Sequence, residues 1–226
     1  MKKVSLGMML LLFTLISLPC LAQTVTASAS MPTATGISIS ITPVDSKGTA
    51  ESNDDVWGSP LTSLTPDFGT LEEVSGTDAQ GHSWVFFGSK TYFAIDIAWA
   101  GGAAPSTGTI QFTYDAASSS SPAGLPAGDN GLADRTTLTF AKTELLVWPT
   151  TTLDTLLGLG KMKMSDLNGT TVTSADIAGG WLRIYFGIAT GDRTAIPPEP
   201  AGTKTFSPAD PAGTYTGVFT VSFTIS

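Results

Sequence analysis

From Thr214 to Ser226 the chain reads T-Y-T-G-V-F-T-V-S-F-T-I-S, and this stretch restricts the fold more than any other. Tyr215, Phe219, Val221, Phe223 and Ile225 fall on alternate residues, Thr and Ser occupy most of the places between, and Gly217 interrupts the series. A repeat of two is the pattern of a β-strand with one buried face. Burying the four large apolar side chains from Phe219 onward would stabilise by roughly 6–12 kcal/mol, an upper bound because unfolded chains are already partly compact. The segment is a core strand and needs sheet partners.

The same repeat recurs along the chain. Val25, Ala27, Ala29 and Met31 alternate with Thr and Ser before Pro32, and Ile37, Ile39 and Ile41 alternate before Pro43. The Pro/Gly joint between these two runs is compatible with a hairpin or with an extended connection. Phe93, Ile95, Ile97 and Trp99 define a core strand, Ile110, Phe112 and Tyr114 the next, and Leu182, Ile184, Phe186 and Ile188 a central one. Twenty-four Gly and 14 Pro punctuate these runs, and charged residues make up only 13% of the chain, against about a quarter in typical soluble domains. Roughly ten short strands without a sustained helical period predict an all-β chain, an antiparallel β-sandwich.

Residues 23–226 read as a single domain, with 141–178 the best candidate for an insertion. Within it, 151–159 is the one stretch compatible with a short helix. Asn168-Gly169 is a strong turn signal that would pair Lys161–Met164 with Thr170–Thr173 as a hairpin. It also begins a glycosylation sequon, but the turn is the simpler reading. Residues 115–134, with Ser118 to Ser121 and several Gly and Pro, read as a low-complexity loop, mobile or adhesive.

Residues 1–22 have the form of an export signal. Lys2 and Lys3 precede an apolar run from Met8 to Leu18, and Cys20-Leu21-Ala22 offers a small residue at the cut. Lipidation of Cys20 is the competing reading, opposed by Pro19 and Ser17. Cleavage after Ala22 leaves no transmembrane span and removes the single cysteine, so the exported chain would have neither disulfide nor thiol chemistry. A formal charge of −8, more negative still without Lys2 and Lys3, makes a poor nucleic-acid binder.

Little in the sequence points to catalysis, and neither an enzyme nor a cofactor is expected. His82 stands alone, and no H-E-x-x-H or G-x-S-x-G occurs. Neighbouring carboxylates such as Asp54-Asp55 and Glu72-Glu73 point to opposite faces of an extended strand, whereas acid–base work needs two in one cleft. Asp129, Asn130 and Asp134 cluster oxygen donors around Gly131 and form a weak calcium candidate, without EF-hand spacing. Of the five tryptophans, Trp57 and Trp148 lie beside loops and are candidate sugar contacts.

The ending Pro211-Ala212-Gly213-Thr214-Tyr215-Thr216-Gly217-Val218-Phe219-Thr220-Val221 resembles that of bacterial secreted pilin-like β-sandwich domains. These include spore-coat-protein-U-like subunits of archaic chaperone–usher pili and a related uncharacterised secreted family. Asp67-Phe68-Gly69-Thr70-Leu71 and Thr24 to Thr42 resemble further elements of the latter, while the middle of the chain matches only in its β character. The resemblance implies an Ig-like sandwich, exported to the periplasm, cell surface or exterior, acting as a structural or adhesive subunit of a surface fibre or envelope. It implies partners among copies of the chain, other subunits and a periplasmic chaperone. It also implies a donor strand, Val25, Ala27, Ala29 and Met31, completing either its own sandwich or a neighbour's. The mature chain lacks the cysteines that many such pilins carry. The alternative is a ligand-binding sandwich dependent on carbohydrate or calcium.

Overall fold

The computed structural model describes residues 24–30, 37–47, 54–61, 65–77, 81, 83–99, 108–142, 155–173, 181–191 and 199–224. Among the described residues thirteen strands form in chain order. They are β1 (Thr24–Ser30), β2 (Ile37–Asp45), β3 (Val56–Trp57), β4 (Asp67–Thr70), β5 (Glu72–Thr77), β6 (Ser83–Gly88), β7 (Thr91–Trp99), β8 (Thr109–Tyr114), β9 (Thr136–Lys142), β10 (Thr155–Lys163), β11 (Thr170–Thr173), β12 (Trp181–Ile188) and β13 (Thr214–Thr224). Two short 3-10 turns, Gly131–Asp134 and Met164–Asp166, complete the described elements. Among the described residues no helix is long and apolar enough to cross a membrane.

One sheet runs β11-β8-β13-β1-β4, the second runs β10-β9-β12-β7-β2-β3, and β5 and β6 form a separate ribbon. Among the described residues all strand pairs are antiparallel except one, β1 with β13. Inward residues of the two large sheets meet in a common core. Phe68 of β4 lies 5.3 Å from Phe93 and 5.2 Å from Phe186, and Phe186 lies 5.5 Å from Phe219, all edge to face. Phe112 of β8 meets Phe140 of β9 in the same way at 5.2 Å. Edge-to-face rings of this kind add to what burial alone contributes, so the aromatic contacts tie the sheets together as well as filling the space. The all-β sandwich expected from the alternation is therefore present, with β12 central between β9 and β7.

Three local expectations are corrected. Residues 155–159 are strand, the first half of β10, and not helix. Their leucines lack alternation because β10 changes register against β9 between Leu156 and Lys161, where Gly160 takes a φ of +62°. The turn at Asn168-Gly169 exists, with Gly169 at φ +83°, but it joins no hairpin. β10 pairs with β9 in one sheet and β11 with β8 in the other. Met164 and Leu167, both fully buried, fill the crossing between the sheets, and Asn168 Oδ1 accepts the Tyr114 amide at 2.9 Å.

Thirdly, the serine-rich loop is pinned. The Asp115 amide donates to Val218 O, Ser120 and Thr216 exchange two backbone bonds, and Ser119 Oγ accepts the Val218 amide at 3.0 Å. The loop thereby satisfies the edge of β13 from Thr216 to Val218, a stretch β8 does not reach because its pairing begins at Phe219.

Gly217 breaks the apolar series because two turns converge on it. A Cβ there would sit 2.9 Å from Met164 Sδ and 3.3 Å from Leu132 Cδ2. The thioether can yield, so Gly217→Ala should cost little. Gly217→Val must also displace Leu132 and should cost roughly 1–3 kcal/mol, the usual penalty of overpacking. Equal urea midpoints for wild type and the valine variant would contradict this packing.

A candidate assembly site around the N-terminal strand

Seven residues of β1 run parallel to β13, from Thr24 beside Thr214 to Ser30 beside Thr220. On its other side β1 meets β4 antiparallel, Thr24 beside Thr70, with a register shift between Val25 and Thr26. Gly69 of β4 takes a φ of +68°, a conformation that favours glycine, and its amide is held by Asp67 Oδ1 at 2.8 Å. The candidate donor positions Val25, Ala27 and Ala29 thus lie in the chain's own sheet, opposite Tyr215, Gly217 and Phe219. Met31 falls outside the described residues. β1 is the strand that makes β13 and β4 parts of one sheet.

β13 enters this site from an anchored corner. Tyr215, fully buried, donates its hydroxyl proton to Pro211 O four residues upstream at 2.7 Å, an arrangement like the tyrosine corner of β-sandwiches. Its ring packs edge-on against Phe206 at 4.9 Å, and the Arg135 guanidinium lies over the other ring at 5.3 Å. Arg135 donates to Asp129 Oδ1 at 2.6 Å and Oδ2 at 3.0 Å, to Gly131 O at 3.0 Å, and to Asp210 Oδ1 at 2.6 Å. Asp210 Oδ2 accepts the Ser207 amide, and Lys204 Nζ stands 3.1 Å from Asp129 and 3.3 Å from Asp134. One buried guanidinium therefore joins the 3-10 turn at Gly131 to the loop that launches β13.

This geometry bears on the calcium candidate. Asp129 and Asp134 are brought together, but their oxygens face Arg135, Lys204, the Gly131 amide and Asn130, whose amide and Nδ2 both donate to Asp134. Cationic side chains hold the place a metal would take, and among the described residues no group of three or more His, Cys, Asp or Glu gathers as ligands. Burial alone would raise the Asp129 carboxyl, but Arg135, Lys204 and the Gly131 amide outweigh it and bring it down to about 2.

Trp57 sits on the outer side of the six-stranded sheet, edge-on to Tyr92 at 6.1 Å, with the Arg183 guanidinium 5.6 Å above its ring. Arg183 in turn makes a paired bond to Asp96 at 2.7 and 2.9 Å. One face of the indole is thus occupied from within the chain. Asp55 accepts the Tyr92 hydroxyl at 2.6 Å, while Asp54 is exposed. Trp148 and His82 lie outside the described residues, as do residues 1–23; Ile225 does too, and of Phe223 only the backbone is described.

The residues that organise the site without any sequence signal are Arg135, Lys204 and Asp210, which meet across as many as 75 positions. Tyr215 did carry one, its place four residues after Pro211 at the head of a strand. Comparisons with protein-family models, with curated proteins and with solved structures find no match.

Two outcomes follow for the ionic cluster. Arg135→Met leaves Asp210 without its cation and Asp129 with Lys204 alone, and should cost roughly 3–5 kcal/mol. At about 2–4 °C per kcal/mol for a chain of this size, a melting curve would register roughly 10 °C. The Asp129 carboxyl is depressed on folding, so its contribution is present above the ordinary value near 3.8 and is lost as pH falls from there through about 2. An acid titration of stability should therefore be flatter between about pH 4 and 2 in Asp129→Asn than in wild type. Identical acid limbs would contradict the assignment.

Proposed function

We propose that this chain is a non-enzymatic exported subunit of a surface fibre or cell envelope, structural or adhesive, which assembles by β-strand donation. The observation that carries the reading is the position of β1. The first described strand lies inside a sheet, parallel to β13 over seven residues, and fills a slot that an identical strand from another copy would fit equally well. The other edge of β13 is satisfied by β8 and the 115–121 loop, and its approach is fixed by the Arg135 anchor, so that the edge facing β1 is the one that calls for an occupant, intramolecular or not. The resemblance of the Pro211–Val221 and Asp67–Leu71 segments to secreted pilin-like domains supports the same class. Its partners are then other copies or related subunits, with a periplasmic chaperone to hold the slot before assembly.

The pairing of Ser28 with Val218 provides a test, because mature protein has no cysteine of its own under this reading. In Ser28→Cys/Val218→Cys, oxidation of material assembled at the cell surface should give a covalent ladder on a denaturing gel. Each single variant should give none. A double variant that yields only internally linked monomer would overturn donation and leave β1 as a strand of its own domain.

A further inference from the structure

We infer that Asn168 is a glycosylation site, whose side-chain nitrogen takes an oligosaccharide while the chain is being exported. The chain has three asparagines, Asn53, Asn130 and Asn168, and Asn168 is the one followed at the second position by Ser or Thr, the spacing a transferase reads. Asn168-Gly169-Thr170 forms the turn that leads into β11, with the Thr170 amide donating to Leu167 O at 2.9 Å. Asn168 and Gly169 are exposed at its tip, between the buried Leu167 and Thr170.

The turn accounts for the glycine but not for the asparagine. Gly169 takes a φ of +83°, a conformation that favours glycine, whereas Asn168 has no positive φ. The fold uses the Asn168 side chain through its oxygen. Oδ1 accepts the Tyr114 amide at 2.9 Å, two residues beyond the pairing of Thr170 with Phe112, and a backbone N–H can face only the oxygen of the side-chain amide. Elsewhere in the chain a carboxylate oxygen meets the same need, Asp67 for the Gly69 amide and Asp115 for the Ala117 amide. At Asn130, by contrast, the fold employs the nitrogen, which donates to Asp134 at 3.1 Å. What Asn168 offers over Asp at this exposed turn is its nitrogen. A sugar on that nitrogen leaves the carbonyl oxygen in place for Tyr114.

Thr170 supplies the second observation. It is 7% exposed, and its hydroxyl donates to Met162 Sδ at 3.5 Å. A thioether is a weak acceptor, so this buried hydroxyl gains little in the folded chain, and valine would fill the same space. The hydroxyl is the group the sequon requires. Because folding buries it, the transfer precedes folding, and the inference therefore rests on the reading of the chain as exported. In the transfer, Asn168 Nδ2 bonds to the anomeric carbon of a sugar carried on a lipid diphosphate. The bond from that carbon to the diphosphate oxygen breaks, its electron pair leaves with the diphosphate, and Nδ2 gives up one proton. The turn leads into β11, three strands from β1 in the sheet, so the sugar stands away from the proposed assembly slot.

Mass spectrometry of the protein recovered from the cells that make it tests the site. Trypsin releases Met164 to Arg183 as one peptide, and fragmentation that spares side-chain groups should place a saccharide on Asn168. Thr170→Ser should keep the sugar. Thr170→Val should lose it while giving the same β-sheet circular dichroism; should that variant not fold, Asn168→Asp, which retains an oxygen for the Tyr114 amide, should lose the sugar in a folded chain. An Asn168 that is bare in wild type or altered by deamidation alone would overturn the inference, as would a sugar that persists in Thr170→Val or disappears in Thr170→Ser. A peptide running from Gln23 to Lys47 reports export separately. A bare Asn168 beside that peptide would therefore sink the glycosylation and leave the exported subunit standing.

Discussion

The parallel ladder between β1 and β13 is the interaction on which the five-stranded sheet depends. It joins the first described strand of the chain to the last, from Thr24 beside Thr214 to Ser30 beside Thr220. Without it β4 would have no partner in that sheet, and Phe68, which meets Phe93 and Phe186 from β4, would lose its support. A contact between residues so distant in sequence closes a very long loop, and its entropy must be lost before the contact gains anything. β1 is thus the natural last strand to dock, whether in its own domain or in a neighbour's.

Everything else at this end of the molecule serves to hold β13 ready. The loop after β8 covers one stretch of its edge, and Arg135 ties the preceding loop to the turn at Gly131. A buried ion pair of this kind is weak evidence for net stability, because desolvation offsets most of the attraction. Its effect is directional. Asp129, Asp210 and Gly131 O accept from one planar guanidinium, so three segments can meet in only one relative placement. In a chain whose only cysteine lies at position 20, such a clamp orders loops without a disulfide between them.

Much of the fold was legible in the residues, and the reason lies in the repeat of two. β7, β12 and β13 carry their large apolar residues on alternate positions, and the structure buries Phe93, Ile95, Ile184, Phe186, Phe219 and Val221 as that alternation requires, although on β7 and β12 the intervening Ala94, Asp96 and Arg183 are buried too. β10 was not legible, because its bulge near Gly160 breaks the alternation and leaves a leucine-rich run that also suits a helix. The Asn168-Gly169 turn was visible but its partners were not, since local turn chemistry cannot tell which sheet each flanking strand enters. Of the candidate site, the alternating start of the chain was legible as a strand, but its neighbours were not. The ionic cluster was read from its acidic half alone. Asp129 and Asp134 suggest a cation, and only the folded chain supplies Arg135 and Lys204 as that cation.

The account turns on β13 being closed by β1, and amide hydrogen exchange of the two strands measures this most directly. With increasing sub-denaturing urea, the amides of β1 should lose protection together with those β13 amides between Thr214 and Thr220 that, unlike Thr216 and Val218, do not donate to the 115–121 loop, ahead of the β7 and β12 amides of the other sheet. Protection that persists at those β13 amides while β1 exchanges freely would mean that β13 does not need its parallel partner, and would contradict the account.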